Sequence, residues 1–182
     1  MLTGHLRQIG LADPLRLWGN YLCGTEEIKR FAGGARLNTD AFPHLIFEAP
    51  LYSYNQRMPP YTTLTNLLSK IPVSLPAFGV AASPTFKASL RSFMIARNQY
   101  LDGLVRESEG REKEAIDRYV ESSTTSPDFT QGYARCLTIA SGLAGSEPRA
   151  ASDLLKRLIK AQPERVLGKE MLERLEARPV QP

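Results

Sequence analysis

The stretch "EGREKEAIDRYVESSTTSPDF", Glu109 to Phe129, decides how this chain folds. Ala115 and Tyr119 stand four residues apart, on one face of a helix. Gly110 lies before them at a turn, and Pro127 lies after them. A small residue lets two antiparallel helices approach closely, and a large one a turn later fills the space between them. A proline just past the helix end stops it and turns the chain. The same spacing returns further on. Ala151 to Leu155 is four residues, and Ala151 to Pro163 is twelve, as Ala115 to Pro127 is twelve. The units "EAIDRYVESSTTSP" and "RAASDLLKRLIKAQP" therefore repeat with a period of 36. This pattern predicts hairpins of helices rather than a chemical site.

Working outward, the segment from Pro84, "PTFKASLRSFMIARNQYLDGLVRESEG", places Phe86, Leu90, Phe93, Met94, Arg97 and Leu101 at helical spacing. After it the chain reads as helix almost to its end. Residues 58–84 form a proline-rich connector, interrupted by one helix over "YTTLTNLLSKI". Before it, Asp13-Pro14 supplies a cap and a first-turn proline for "LRLWGNYL", with Leu15, Trp18 and Leu22 on one face and Cys23-Gly24 as its stop. Thr25 then caps "EEIKRFAGG", where Ile28 and Phe31 lie three apart and Gly33-Gly34 ends the helix. Pro43 to Pro50 encloses "HLIFEA", the best strand candidate. One strand cannot make a sheet alone, so it would need a partner from elsewhere. The expected fold is mainly α: an N-terminal region (1–57) of helices plus one extended segment, the connector (58–84), and a helical array with a C-terminal cap (85–182).

Composition excludes several classes. The net charge is +4, from 23 Lys+Arg against 19 Asp+Glu. Residues 146–182 hold eight basic and six acidic residues, interleaved as on solvated helix faces. A nucleic-acid groove would want a basic stripe with aromatics beside it, so no nucleic-acid partner is expected. Cys23 and Cys136 form neither a CxxC pair nor a zinc quartet, and read as buried free thiols of a reducing compartment. No apolar run approaches the ~20 residues of a membrane span, and "MLTGHLRQIG" lacks the layout of a secretion signal. The chain is expected in the cytoplasm, or tethered to a membrane only through a larger parent protein.

The segment 96–129 resembles a tetratricopeptide repeat, a helix–turn–helix unit of about 34 residues. Gly103 matches the small residue of its first helix and Gly110 its turn. Ala115, Tyr119 and Ser122 match its second helix, and Pro127 its end. Gln99 stands where an aromatic is usual, Asp102 where a leucine is, and Arg106 where a tyrosine often sits. The second unit, 130–163, has Tyr133 at the aromatic position, and "AGSEPR" is expected to lengthen its turn. "ERVLGKEMLERLEARP" looks like a capping helix.

A second resemblance lies in "YLCGTEEIKRFAGGARLNTDAFPHLIFEAP". It is similar to the region after the catalytic domain in bacterial spermidine-synthase-like (aminopropyltransferase-like) proteins, in which a "LNTDDRP"-type motif precedes an extended "LEF-AP" segment. Leu37 to Asp40, Pro43 and Phe47 to Pro50 match, whereas Ala41 and Phe42 replace an acidic and a basic residue. That family's core needs a Gly-rich turn after a strand, an acidic residue for the ribose and an aspartate for the attacking amine. Gly33-Gly34 is the only glycine pair here, and it follows a helix. The resemblance therefore implies the tail of such a protein without its nucleotide-binding core. It carries over no catalytic, cofactor-binding or metal-ligating residue, and this chain alone is expected to be no enzyme.

Other candidates have structural readings. Asp40, His44 and Glu48 would share a strand face, but their outer members would lie about 20 Å apart or more at roughly 3.3 Å per residue, too far to grip one ion. Asn38 and Asp40 read better as turn formers. "SSTTSP", Ser122 to Pro127, could be phosphorylated but reads better as a polar helix end. Glu114 and Arg118 form a surface pair four apart. "LYSYNQRMPPY" reads as a connecting strap rather than a peptide or base platform.

Function follows from these readings as an expectation: a non-catalytic docking module for a protein partner or a missing catalytic domain, with no direct membrane insertion. Self-association or a partner would help to stabilise so short an array. Trp18, Phe31 and Phe47 are expected to mark the docking face. The alternative is part of an aminopropyltransferase-like enzyme, active only with a catalytic half supplied elsewhere.

Overall fold

The computed structural model of the chain describes residues 13–33, 65–66, 68–71, 73, 75 and 83–177. Helix makes up 80% of the described residues and no strand occurs among them, so the fold is mainly α. The Pro43–Pro50 segment and most of the connector lie outside the described residues. Thr65, Asn66 and Leu68–Lys70 are helical, within the helix predicted there.

Among the described residues two short helices come first, α1 (Pro14–Gly19) and α2 (Thr25–Ala32). The Asp13 carboxylate accepts the Leu15 N–H at 2.9 Å, with Pro14 in the first turn, as predicted. The helix stops sooner than the sequence suggests, at Gly19 and not at Leu22. Arg97, on a later helix, donates through Nη1 to the carbonyls of Gly19 (2.6 Å) and Tyr21 (2.8 Å) and so takes the acceptors that further turns would use. The cap of α2 also differs. Gly24 occupies the cap position, Thr25 is already helical, and the Glu27 carboxylate accepts the Gly24 N–H at 3.1 Å. A reaching glutamate replaces the threonine hydroxyl.

The array consists of α3 (Pro84–Ser108), α4 (Glu112–Thr125), α5 (Thr130–Ser146), α6 (Pro148–Ala161) and α7 (Val166–Glu176). Each packs on the next. In addition α3 touches α5, and α4 touches α6, so the first helices form one layer and the second helices another. The main core lies between α4, α5 and α6, where Ala115, Tyr119, Tyr133, Cys136, Ala140, Leu154, Leu155 and Leu158 are buried together. Tyr100 and Leu104 close it from α3, and Met171, Leu172 and Leu175 from α7.

The opening stretch behaves as its spacing predicts. Ala115 and Tyr119 are both buried. Gly110 has φ +74°, the left-handed turn that ends α3. Tyr119 fills the space above Gly103, where a Cβ would stand 2.4 Å from the ring.

The period extends to residues that the sequence reading did not single out. Ala96, Gly132 and Gly168 stand 36 apart, one on each first helix, and all three are buried. At Gly132 a Cβ would meet the Tyr119 carbonyl at 2.8 Å, and at Gly168 the Tyr133 hydroxyl at 2.9 Å. The first helices α5 and α7 thus each lie hard against the preceding unit at one glycine. The turns repeat too. Phe129 N–H donates to the Ser126 carbonyl and Arg165 N–H to that of Gln162, both at 3.2 Å. Pro127 and Pro163 each hold the second position of their turn.

The joint between α5 and α6 corrects an expectation. "AGSEPR" does not lengthen the turn; it lengthens the helix. α5 runs through Gly145 and Ser146, Glu147 alone separates it from α6, and Pro148 opens α6 at its first position.

Candidate interaction surface

The first contact surface is the seat of α1 on α3. Leu15 packs against the cluster of Phe93, Ala96 and Phe129, whose two phenylalanine rings meet edge-on at 5.2 Å. Gly19 is buried directly on Phe93, where a Cβ would stand 2.3 Å from the ring. Arg97 completes the seat. Besides the two carbonyls of the N-terminal segment, its Nε and Nη2 donate to the Asn98 side chain at 3.1 and 2.9 Å. Only 7% of Arg97 is exposed and no carboxylate among the described residues pairs with it; burial lowers its pKa to about 10. An arginine so placed is tolerated because neutral acceptors satisfy its donors.

A polar network joins the first and second helices. The Tyr119 hydroxyl donates to the Glu107 carboxylate at 2.5 Å, and Arg135 on α5 donates to the same carboxylate through Nε (3.2 Å) and Nη2. Partial burial raises the Glu107 pKa, but the hydrogen bonds from Arg135 and Tyr119 outweigh it and hold the carboxyl below its usual range. Burial, and then the bond to Glu107, push Tyr119 well above the usual phenol range. The three groups tie α3, α4 and α5 together.

The second surface is a hollow of about 330 Å³ between α5 and the start of α7. Tyr133, Ala134 and Leu137 line it from α5, and Arg165, Val166 and Leu167 from the other side. Val166 is 60% and Leu167 49% exposed, which makes this an apolar opening of the array. The Arg165 guanidinium lies over the Tyr133 ring at 4.6 Å and donates to the Pro127 carbonyl at 2.8 Å.

The candidates from the sequence fall as follows. Asp40, His44, Glu48 and Phe47, like the "LYSYNQRMPPY" strap, lie outside the described residues, and so does the side chain of Phe31. Trp18 is 38% and Ile28 52% exposed. Ser122, Ser123 and Ser126 are buried, which removes them from the reach of a kinase. Ser122 donates to the Ala96 carbonyl (2.7 Å) and Ser123 to that of Tyr119 (2.9 Å), so the run is indeed a helix end that also ties α4 to α3. The predicted Glu114–Arg118 pair is replaced by others. Glu114 holds Arg106 and Arg111, and Arg118 holds Asp102 (2.8 Å) and Glu121 (2.6 Å). Asp102 and Arg106, two departures from the repeat pattern, bind each other at 3.1 Å. Cys136 is buried, and burial pushes its thiol up to about 12, whereas Cys23 is only half-buried, contrary to expectation. Among the described residues no three His, Cys, Asp or Glu side chains gather in a metal-holding group. No described helix is long and apolar enough to cross a membrane.

No family model, curated protein or solved structure matches this chain.

Proposed function

We propose that the chain is a non-catalytic docking module, a short tetratricopeptide-like array that holds protein segments against its helices. The observation that carries this reading is the seat of α1. A segment nearly eighty residues upstream is gripped by Phe93, Phe129 and Arg97, with the arginine satisfied by that segment's own carbonyls. Such a seat is how helical arrays hold extended chain, through backbone acceptors and a small apolar anchor.

We further propose that the segment held belongs to the C-terminal part of a spermidine-synthase-like protein, and that the missing partner is its nucleotide-binding domain. The sequence motif through Leu37–Asp40 and Phe47–Pro50 supports that assignment. Two measurements test it. Calorimetry of the purified chain with an S-adenosyl nucleotide, or with spermidine, should give no binding heat; a saturable isotherm with either would overturn the non-catalytic reading. Mixing the chain with a synthase-like catalytic half should give a complex by size-exclusion chromatography. Transferase activity that appears only on mixing would favour the enzymatic alternative instead.

A further inference from the structure

The hollow between α5 and α7 has a chemistry of its own. Its volume sits at the low end of the roughly 300–1,000 Å³ range of small-molecule sites, which suits one side chain better than a whole ligand. Its walls are largely apolar, with Thr130 a polar member, and the one charged group on them is Arg165. That guanidinium uses a single donor, to the Pro127 carbonyl, and stacks on Tyr133. No carboxylate of the described residues lies within ion-pair distance of it. Asp128 and Glu164 stand in the turns before α5 and α7 and do not pair with it. Lys169, one turn along α7 from Val166, likewise pairs with no acid among the described residues, whereas Glu170 is engaged by Arg174 at 3.2 Å. The one charged side chain that lines the hollow is therefore a cation with no acid partner among the described residues, set beside Tyr133, Ala134, Leu137, Val166 and Leu167.

We propose that this hollow is the seat of an acidic peptide segment of a partner protein, with one leucine-sized side chain between Leu137, Val166 and Leu167 and an adjacent Asp or Glu carboxylate on Arg165. The planar guanidinium offers paired donors suited to a carboxylate, and its stacking on Tyr133 keeps it oriented before the partner arrives. This inference rests on the docking reading but uses a different surface from the seat of α1.

The test is a titration of the ¹⁵N-labelled full chain, followed by NMR, with three capped hexapeptides identical except for a central Leu-Asp, Leu-Asn or Leu-Lys pair. The expected result is a set of shifts confined to Leu137, Arg165, Val166 and Leu167, with the Leu-Asp peptide binding about tenfold more tightly than the Leu-Lys peptide. Arg165→Met should abolish that preference, and Val166→Ser with Leu167→Ser should abolish binding by every peptide. Both changes are at accessible positions, and an unchanged amide spectrum elsewhere checks the fold. Equal binding of the three peptides would overturn the acidic partner while leaving the docking reading intact. Absence of shifts would overturn the seat itself. Shifts at Val166 and Leu167 that follow protein concentration without peptide would overturn it in favour of a second copy. Complex formation with a synthase-like half, measured separately, decides the broader reading.

Discussion

Gly103 lies directly beneath the ring of Tyr119, so close that a methyl group at Gly103 would stand 2.4 Å from Cε1 and 2.7 Å from Cδ1. The two residues come from the two helices of one hairpin, and their fit sets how closely α3 and α4 approach. Alanine at position 103 gains about 1 kcal/mol in helix propensity but forces overpacking that costs about 1–3 kcal/mol. Gly103→Ala should therefore lower stability by up to roughly 2 kcal/mol, read as a fall in the urea midpoint at unchanged m-value. Gly103→Val should cost more, because the ring cannot leave without exposing the core.

The Arg97 seat predicts a local loss. Arg97→Met keeps the stem and removes the donors, which leaves the Gly19 and Tyr21 carbonyls without their partner. Hydrogen bonds from a charged donor contribute about 1.5–3 kcal/mol each. We expect α1 to lose its protection from hydrogen exchange while α4 to α6 keep theirs. Equal loss across the array would show that the seat belongs to the core rather than to a docked segment.

Glu107 and Tyr119 give stability a defined pH dependence. The Glu107 pKa is depressed below its ordinary value of 4.5, so its contribution is present above that pH and is lost as pH falls through the folded-state value. Tyr119 is raised above its ordinary 10.0, so its contribution is present below that pH and declines as pH rises past it. Glu107→Gln should flatten the acid limb of a plot of urea midpoint against pH, and Tyr119→Phe the alkaline limb. Parallel curves for wild type and variants would contradict the network.

Gln99 invites a stabilising change. Its Oε1 is buried with no hydrogen-bond donor among the described residues, at a position where the resembled repeat has an aromatic. Gln99→Met keeps the volume and removes the unsatisfied acceptor, a relief of about 1–3 kcal/mol at most. Thermal unfolding should shift upward by several degrees.

The two thiols should separate by reactivity. Cys23 is half-buried and should react with a disulfide reagent in the native chain. Cys136 is buried, with its pKa at about 12, and should react only on unfolding. Titration before and after denaturant counts them. Prompt reaction of both would mean that the α5 core opens readily.

What could be read from the sequence was what local spacing encodes. Ala115, Tyr119, Gly110 and Pro127 announced their hairpin because the contacts that need them lie within a few turns. The extra residues "AGSEPR" misled, since a longer connection and a longer helix look alike until Pro148 is seen to open α6. Asp102 and Arg106 looked like faults in a repeat, yet each answers the other, and single-position comparison does not reveal a compensating pair. Gly132 and Gly168 were missed although the 36-residue period reaches them; a search for small residues at that spacing, starting from Ala96, would have found them. The role of Arg97 was not legible at all. Its place on the α3 face marked it as core, but its partners are 76 and 78 residues away. No periodicity carries that information.

That separation also orders events in time. The contacts of α3 to α7 join neighbours in the chain and form fast, whereas the α1 seat closes a long loop and is entropically slow to find. On the ribosome the order is stricter. Gly19 and Tyr21 are made first and have no seat until Arg97 follows, 76 to 78 residues later. At about 5–20 residues per second this is a delay of roughly 4–16 s. For that interval the nascent N-terminal segment keeps its carbonyls and Leu15 open to whatever else is near, so its first partner in the cell need not be its own array.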